Sequence, residues 1–293
     1  MQEQEYILKN AKSFEPKHVF ECGQCFRWNR ENDGSYTGMV GHNVLNVSKY
    51  QDNIKIKGYC EDNIKDVCNK YFDLETNYEE VKEELSKKDR YLKESIKFGE
   101  GIRILKQDVW ETLISFIISA NNNIPRIKGI IERISEKYGE EMEWNEKKYY
   151  TFPTVEELSR ATIEDLRKLG LGFRDKRVYD TTQMVRNNEI DILRLETESD
   201  TKYILNELLK FPGVGPKVAD CIMLFSMKKY QVFPVDVWVK RVMLELYSKE
   251  IYDVMNNERR QVAPHDILKF AEDKFGNMAG LAQQYLFYWR REQ

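Results

Sequence analysis

The sequence is short of cysteine and histidine, has no long apolar run and carries no excess of basic charge. Its five cysteines, Cys22, Cys25, Cys60, Cys68 and Cys221, are odd in number and irregularly spaced. That is a poor disulfide framework, so free thiols in a reducing compartment are expected. Cys22 and Cys25 form a C-x-x-C pair, but no second pair and no adjacent histidine completes a tetrahedral metal site. No cysteine follows Cys221, which excludes the clustered thiolates of an iron–sulfur centre near the C-terminus. The expectation is no metal and no cofactor. No segment approaches the ~20 apolar residues of a membrane helix. The opening MQEQEYILKN lacks the basic and apolar regions of a secretory signal, so an intracellular protein without membrane attachment is expected. The formal net charge of -3 runs against nucleic-acid binding, because phosphate-seeking domains are often basic. Yet Arg174, Lys176, Arg177, Lys217, Lys228, Lys229, Lys240 and Arg241 all fall in the second half, where they form either a local basic face or ordinary solvated helix faces. Gly/Ser-rich linkers, low-complexity tracts and internal repeats are also lacking, so the parts of the chain should pack directly on one another.

Between about Val19 and Tyr59 there are short alternating segments, CFRWNR, SYTGMVG, VLNVSKY and NIKIKGY, with a turn at Asn32-Asp33-Gly34. They predict an antiparallel sheet. After Leu74 the helical period takes over and is expected to persist to the C-terminus, which makes the chain α+β without βαβ alternation. The division read from this pattern is an N-terminal sheet domain with a helix over 1–100 and a helical domain over 101–293. Asp108 is a plausible N-cap for the apolar run VWETLISFIISA, and Pro125 suits the first turn of the next helix. Thr154-x-x-Glu157 and Thr162-x-x-Asp165 read as capping boxes, with Gly170 stopping the second helix. Further helices are expected after Arg174, over 201–210, and from Asp236, Asp266 and Ala279.

The most informative segment is TKYILNELLKFPGVGPKVADCIMLFSM, a helix-hairpin-helix pattern over about 201–228. Gly213 and Gly215 permit positive φ and close backbone approach, and the open N–H groups at the start of the second helix attract phosphate. A turn of this kind, Gly213-Val214-Gly215, would grip a DNA backbone without reading sequence. A bare G-x-G would equally serve a plain αα-hairpin. Lys217 falls in the first turn of the second helix, where the dipole and partial burial should lower an amine's pKa and make it nucleophilic. Nineteen residues later Asp236 stands in VFPVDVWVKRV between an extended stretch and a helix. It fits an N-cap, and also a fixed carboxylate that stabilises positive charge on a deoxyribose as an N-glycosidic bond breaks; the roles can coexist.

The strings FPGVGPKVADC and FPVDVW, with GQCFRW near the start, SANNNIPRI in the middle, LGLGFR before the hairpin and AGLAQQYLF at the end, closely resemble the helix-hairpin-helix superfamily of base-excision glycosylases. Within it they resemble the 8-oxoguanine DNA glycosylases. The resemblance spans nearly the whole chain and implies a monomeric enzyme, without cofactor, whose two helical parts clasp double-stranded DNA containing an oxidised purine. It implies Lys217 as the nucleophile at C1′, forming a Schiff base open to β-elimination, and Asp236 as the catalytic carboxylate. Gly23 would offer a backbone carbonyl to the N7 hydrogen that 8-oxoguanine has and guanine lacks. Gln283 would bond the flipped base's Watson–Crick edge, Phe287 would stack on it, and Cys221 would line the pocket facing the lysine. Asn121, Arg126 and Arg174 would hold the orphaned cytosine while Phe173 wedges into the gap. At Trp238 many relatives place a histidine near the phosphate. Two alternatives are a monofunctional alkylpurine glycosylase, which keeps the aspartate but lacks the lysine, and a noncatalytic hairpin protein that binds DNA.

Overall fold

The computed structural model describes residues 1–256, 258 and 260–293. In chain order its first part is β1 (Gln2–Leu8), α1 (Pro16–Phe20), β2 (Trp28–Arg30), β3 (Tyr36–Val40), β4 (Asn43–Tyr50), β5 (Asn53–Cys60) and α2 (Ile64–Tyr71). The strands form one antiparallel sheet in the order β1-β5-β4-β3-β2. Alternation decides which face is buried: Ile54, Ile56 and Cys60 of β5 turn inward with Leu45 and Val47 of β4. They meet an aromatic layer in which the Phe20 and Trp28 rings stack 4.0 Å apart. Gly34 takes φ +85° to close the turn between β2 and β3, as its position after Asn32-Asp33 predicts. β1 is an edge strand with mostly exposed polar residues, so no apolar stripe signals it; it is held by backbone pairing from Gln2↔Cys60 to Leu8↔Ile54. β2 is shorter than CFRWNR suggests, because residues 22–27 leave the sheet and form a loop.

The second part comprises α3 (Tyr78–Ser86), α4 (Arg90–Phe98), α5 (Val109–Ser119), α6 (Ile124–Tyr138), β6 (Glu141–Trp144), β7 (Lys147–Tyr150), α7 (Val155–Leu158), α8 (Ile163–Lys168), α9 (Asp175–Arg186), α10 (Ile192–Thr197), α11 (Thr201–Leu208), α12 (Pro216–Met227), α13 (Val237–Val254), α14 (Pro264–Phe275) and α15 (Ala279–Arg291). The expectation of unbroken helix after Leu74 fails at the β6–β7 hairpin. There Asn145 and Glu146 both adopt positive φ, the backbone of a two-residue hairpin turn. Met142 and Trp144 of β6 pack on Met39 and Val44 of the sheet, an alternation too short to read among the surrounding charges.

Local caps account for most helix starts. Asp108 accepts from the Glu111 N–H at 2.8 Å, and both Thr capping boxes are formed. Each such cap contributes about 0.5–2 kcal/mol. Asp266 does not begin its helix as expected; it occupies the third position of α14 and reaches back to the Ala263 N–H at 2.8 Å, with Pro264 opening the helix. α5 is the central helix, buried along its length, packed on α12, α6, α9 and α10. α4 rests on α15, so α3 and α4 join the helical core. Cys22 and Phe26, from the loop after α1, also belong to that core and carry the N-terminal loop into it.

Candidate active site

The hairpin turn lies between α11 and α12. Phe211 and Val214 are buried and close it through a hydrogen bond from the Val214 N–H to the Phe211 carbonyl at 3.0 Å. Gly213 takes φ +86°, a left-handed conformation that favours glycine, and a Cβ there would lie 2.6 Å from Arg177 Cδ and displace that side chain. Gly215 caps α12 without a side chain, and nothing fills the space where its Cβ would be. The first N–H groups of α12 are therefore presented at an open, uncapped helix end, the arrangement that binds a phosphate.

Lys217 is the second residue of α12, with its ammonium nitrogen 5.6 Å from the ring centroid of Phe116 on α5. The expectation of a depressed amine is not met. Cys221, one turn along the same helix, and then Asp236 favour the ammonium and outweigh burial, so the Lys217 pKa is raised. Burial pushes the Cys221 thiol up to about 11. Asp236 is half-buried and is the N-cap of α13, accepting from the Val239 N–H at 2.7 Å. Trp238 beside it is 40% exposed. Asp220, between Lys217 and Cys221 in α12, has its carboxyl pushed up to about 7 by burial.

A second group of residues comes from the two ends of the chain. Gly23 has φ +88°, and a Cβ on it would stand 3.6 Å from Phe287 Cε1 and 3.3 Å from Arg291 Nη1. The Gly23 loop is anchored by the wholly buried Gln24. Its amide donates to the Val19 and Arg103 carbonyls at 2.9 and 2.8 Å and accepts from the Leu105 N–H at 2.8 Å. Gln283 lies one turn before Phe287 on α15, buried, with its carbonyl oxygen accepting from the Gln284 amide at 2.8 Å. Gly280 admits Leu224 of α12 against α15, since a Cβ there would lie 2.6 Å from Leu224 Cδ1. The helix of Lys217 and the helix of Gln283 and Phe287 are thereby locked in contact. Phe26 of the N-terminal loop packs edge-on to Phe116, centroids 5.5 Å apart, and so reaches the ring beneath the lysine.

Asn121, Arg126, Phe173 and Arg174 also converge. Arg174 is only 2% exposed; its Nε donates to the Ala120 carbonyl at 2.9 Å and its Nη2 to the Asn121 carbonyl at 2.7 Å. It braces the loop on which Asn121, with φ +51°, is exposed. Arg126 is exposed and donates to the Gly170 carbonyl at 3.2 Å. Phe173, 54% exposed, lies against the Arg174 and Arg177 guanidiniums at 4.2 and 5.1 Å. Burial, then Arg126 and Arg177, lower the pKa of Arg174, the signature of cations gathered on one face. Of the basic residues named from the sequence, Arg174 and Arg177 join this face, while Lys176 and Lys228 pair with Asp180 and Asp73. Gln24, Phe116 and Arg291 carry no sequence-level assignment. Only Arg291 had a local signal, its i, i+4 spacing from Phe287.

Residues 6–113 match the 8-oxoguanine DNA glycosylase N-terminal domain, and residues 114–264 match the HhH-GPD superfamily of base excision DNA repair proteins. An N-glycosylase/DNA lyase of Saccharomyces cerevisiae is 32% identical, with 92% of this chain and 81% of that protein covered. The apo 8-oxoguanine glycosylase/lyase of Clostridium acetobutylicum superposes with a TM-score of 0.90 at 46% identity, covering 98% of this chain and 97% of the other. The same protein bound to double-stranded DNA with cytosine opposite 8-oxoguanine gives a TM-score of 0.90 at 45% identity, covering 100% and 98%. The chain belongs to the HhH-GPD superfamily of base excision DNA repair proteins and carries the N-terminal domain of its 8-oxoguanine DNA glycosylases.

Proposed function

We propose that this protein excises 8-oxoguanine from duplex DNA, preferably opposite cytosine, and cleaves the resulting abasic strand. The observation that carries this reading is the position of Lys217 in the first turn of α12, behind an uncapped hairpin turn and within the field of the Asp236 carboxylate, since it puts a nucleophile and a carboxylate beside a phosphate-binding backbone. The hairpin backbone around Gly213, Val214 and Gly215 holds the strand, and the extruded lesion stacks on the Phe287 ring with its N7 hydrogen toward the Gly23 carbonyl and Gln283 on its Watson–Crick edge. Lys217 in its neutral form bonds to C1′ as the C1′–N9 bond breaks and its electron pair leaves with the base. The Asp236 carboxylate stabilises the positive charge that grows on the sugar. Opening of the sugar ring gives a protonated imine, and loss of a C2′ proton expels the 3′ phosphate. Asn121 and Arg126 engage the orphaned cytosine, while Arg174, expected to share that contact, holds the loop beneath them through the Ala120 and Asn121 carbonyls, and Phe173 fills the gap in the stack. The reading describes a DNA-associated enzyme, and no described helix is long and apolar enough to cross a membrane.

Borohydride trapping on a duplex with 8-oxoguanine opposite cytosine tests substrate and mechanism together. The wild-type protein is expected to give a covalent complex, and Lys217→Gln to give none while still binding the duplex. Substantial trapping by Lys217→Gln removes the lysine from its role. Base release without trapping by the wild type favours the monofunctional alternative.

A further inference from the structure

α15 ends in two arginines that behave differently. Arg290 pairs with Glu245 of α13. Arg291 turns to the opposite end of the chain: its Nη2 donates to the Glu21 carbonyl, while Nε and Nη2 also bond Glu292 Oε1 at 3.1 and 3.0 Å. Its guanidinium carbon lies 5.4 Å from the Phe287 ring centroid and 5.6 Å from that of Tyr288, and the side chain is 23% exposed. Nη1 stands beside Gly23, where a Cβ would meet it at 3.3 Å and Phe287 at 3.6 Å. One side chain therefore touches the backbone just before Gly23, Gly23 itself and the ring opposite. Among the described residues it makes the only hydrogen bond from α15 to the Glu21–Gln24 stretch.

We propose that Arg291 is a positioning residue that sets the Gly23 backbone relative to the Phe287 ring, and with it the selection of 8-oxoguanine over guanine. The proposal rests on the function given above. A backbone acceptor rejects the wrong base only if it is buried, left unpaired by that base and unable to relax away. On its inner side the Gly23 loop is pinned by Gln24. Its outer side borders a helix from the far end of the chain, and there Arg291 supplies the tie. By lying over Phe287 the same guanidinium also restrains the ring on which the base stacks. A charge needed merely at a helix C-terminus would interact with its own last carbonyls, whereas Arg291 donates to a carbonyl of the N-terminal loop.

The test compares full-length wild type, Arg291→Met and Arg291→Lys in single-turnover reactions on three duplexes. One carries 8-oxoguanine opposite cytosine, one undamaged guanine opposite cytosine, and one a preformed abasic site opposite cytosine. Methionine keeps the aliphatic packing and removes the donor and the charge; lysine keeps both but not the planar fork. Arg291→Met is expected to lose about tenfold or more in 8-oxoguanine excision and to narrow the ratio over guanine. Its abasic-strand cleavage, which does not use the base pocket, should fall by much less, and Arg291→Lys should recover part of the excision. An 8-oxoguanine rate within about twofold of wild type, or equal losses on lesion and abasic duplexes, overturns the inference alone. Wild-type protein inert on 8-oxoguanine overturns the functional reading, and the inference with it.

Discussion

Asp236 has two duties, and substitution can separate them. Its carboxylate caps α13 through the Val239 N–H at 2.7 Å, and its charge acts on the Lys217 amine. Asparagine is as good an N-cap as aspartate, so Asp236→Asn should keep the helix start within a few tenths of a kcal/mol. Asp236→Ala loses the cap, at a cost of about 1 kcal/mol, and should melt roughly 2–4 °C lower in a protein of this size. Both lose the charge. Removing one preorganised stabiliser of transition-state charge typically costs ~2.7–4 kcal/mol, so excision should slow about 100- to 1000-fold in either variant. A second effect has the opposite sign. Asp236 raises the Lys217 pKa, so without it the neutral amine appears at lower pH. The rising limb of the single-turnover pH–rate profile should therefore move to lower pH in Asp236→Asn even as its plateau drops. The assay is single-turnover excision across pH, with melting curves of all three proteins. Normal plateau turnover with a lowered Tm in Asp236→Ala would reduce Asp236 to a cap. A profile displaced to higher pH would refute the charge coupling between Asp236 and Lys217.

Gly213→Ala places a Cβ at φ +86° and 2.6 Å from Arg177 Cδ; it should cost about 1–2 kcal/mol of stability and weaken binding to damaged and undamaged duplex alike, which filter binding would measure. Arg126→Ala should erode a preference for cytosine over adenine opposite the lesion that is about tenfold or greater in the wild type, tested by excision from the four opposite-base duplexes. Equal wild-type rates opposite both bases would remove the cytosine-reading role. Asp220 is held near 7 in the fold, well above an ordinary aspartate, so the folded state retains its proton while the unfolded chain releases it. The penalty grows as pH rises through about 4 to 7 and is constant above, so Asp220→Asn should raise Tm relative to wild type at pH 8 and leave it little changed at pH 4. A Tm difference independent of pH would contradict that placement.

What could be read in the sequence was local. Asp108, Thr154 and Thr162 announce their helices because a cap is a contact over three residues, and the Gly213–Lys217 string carries its turn, its open helix end and its lysine within one segment. Asp266 misled by three residues because an acidic group is favoured both at the cap, where it accepts from first-turn N–H groups, and at the third helical position, where it reaches back to the cap N–H. β1 and the β6–β7 hairpin escaped because their burial comes from partners distant in sequence. The protonation of Lys217 was read with the wrong sign because helix position and burial were weighed alone: Cys221, one turn along α12, and then Asp236, which arrives by tertiary folding, favour the ammonium and outweigh burial. Gly23 meeting Phe287 and Arg291 is the extreme case, a contact between the two ends of the chain.

The Phe26–Phe116 contact couples two tasks that a designer would keep apart. Phe26 lies three residues after Gly23, and Phe116 lies under the Lys217 amine. A close-packed interior transmits a change of even one methylene to its neighbours. A change of volume at either ring would displace the loop that examines the base, the amine that attacks it, or both. Selectivity and speed in this protein are thus not independent variables over evolutionary time: replacements at positions 26 and 116 should persist chiefly as compensating pairs, and laboratory selection for a broader range of bases through either position should give slower enzymes as a matter of course.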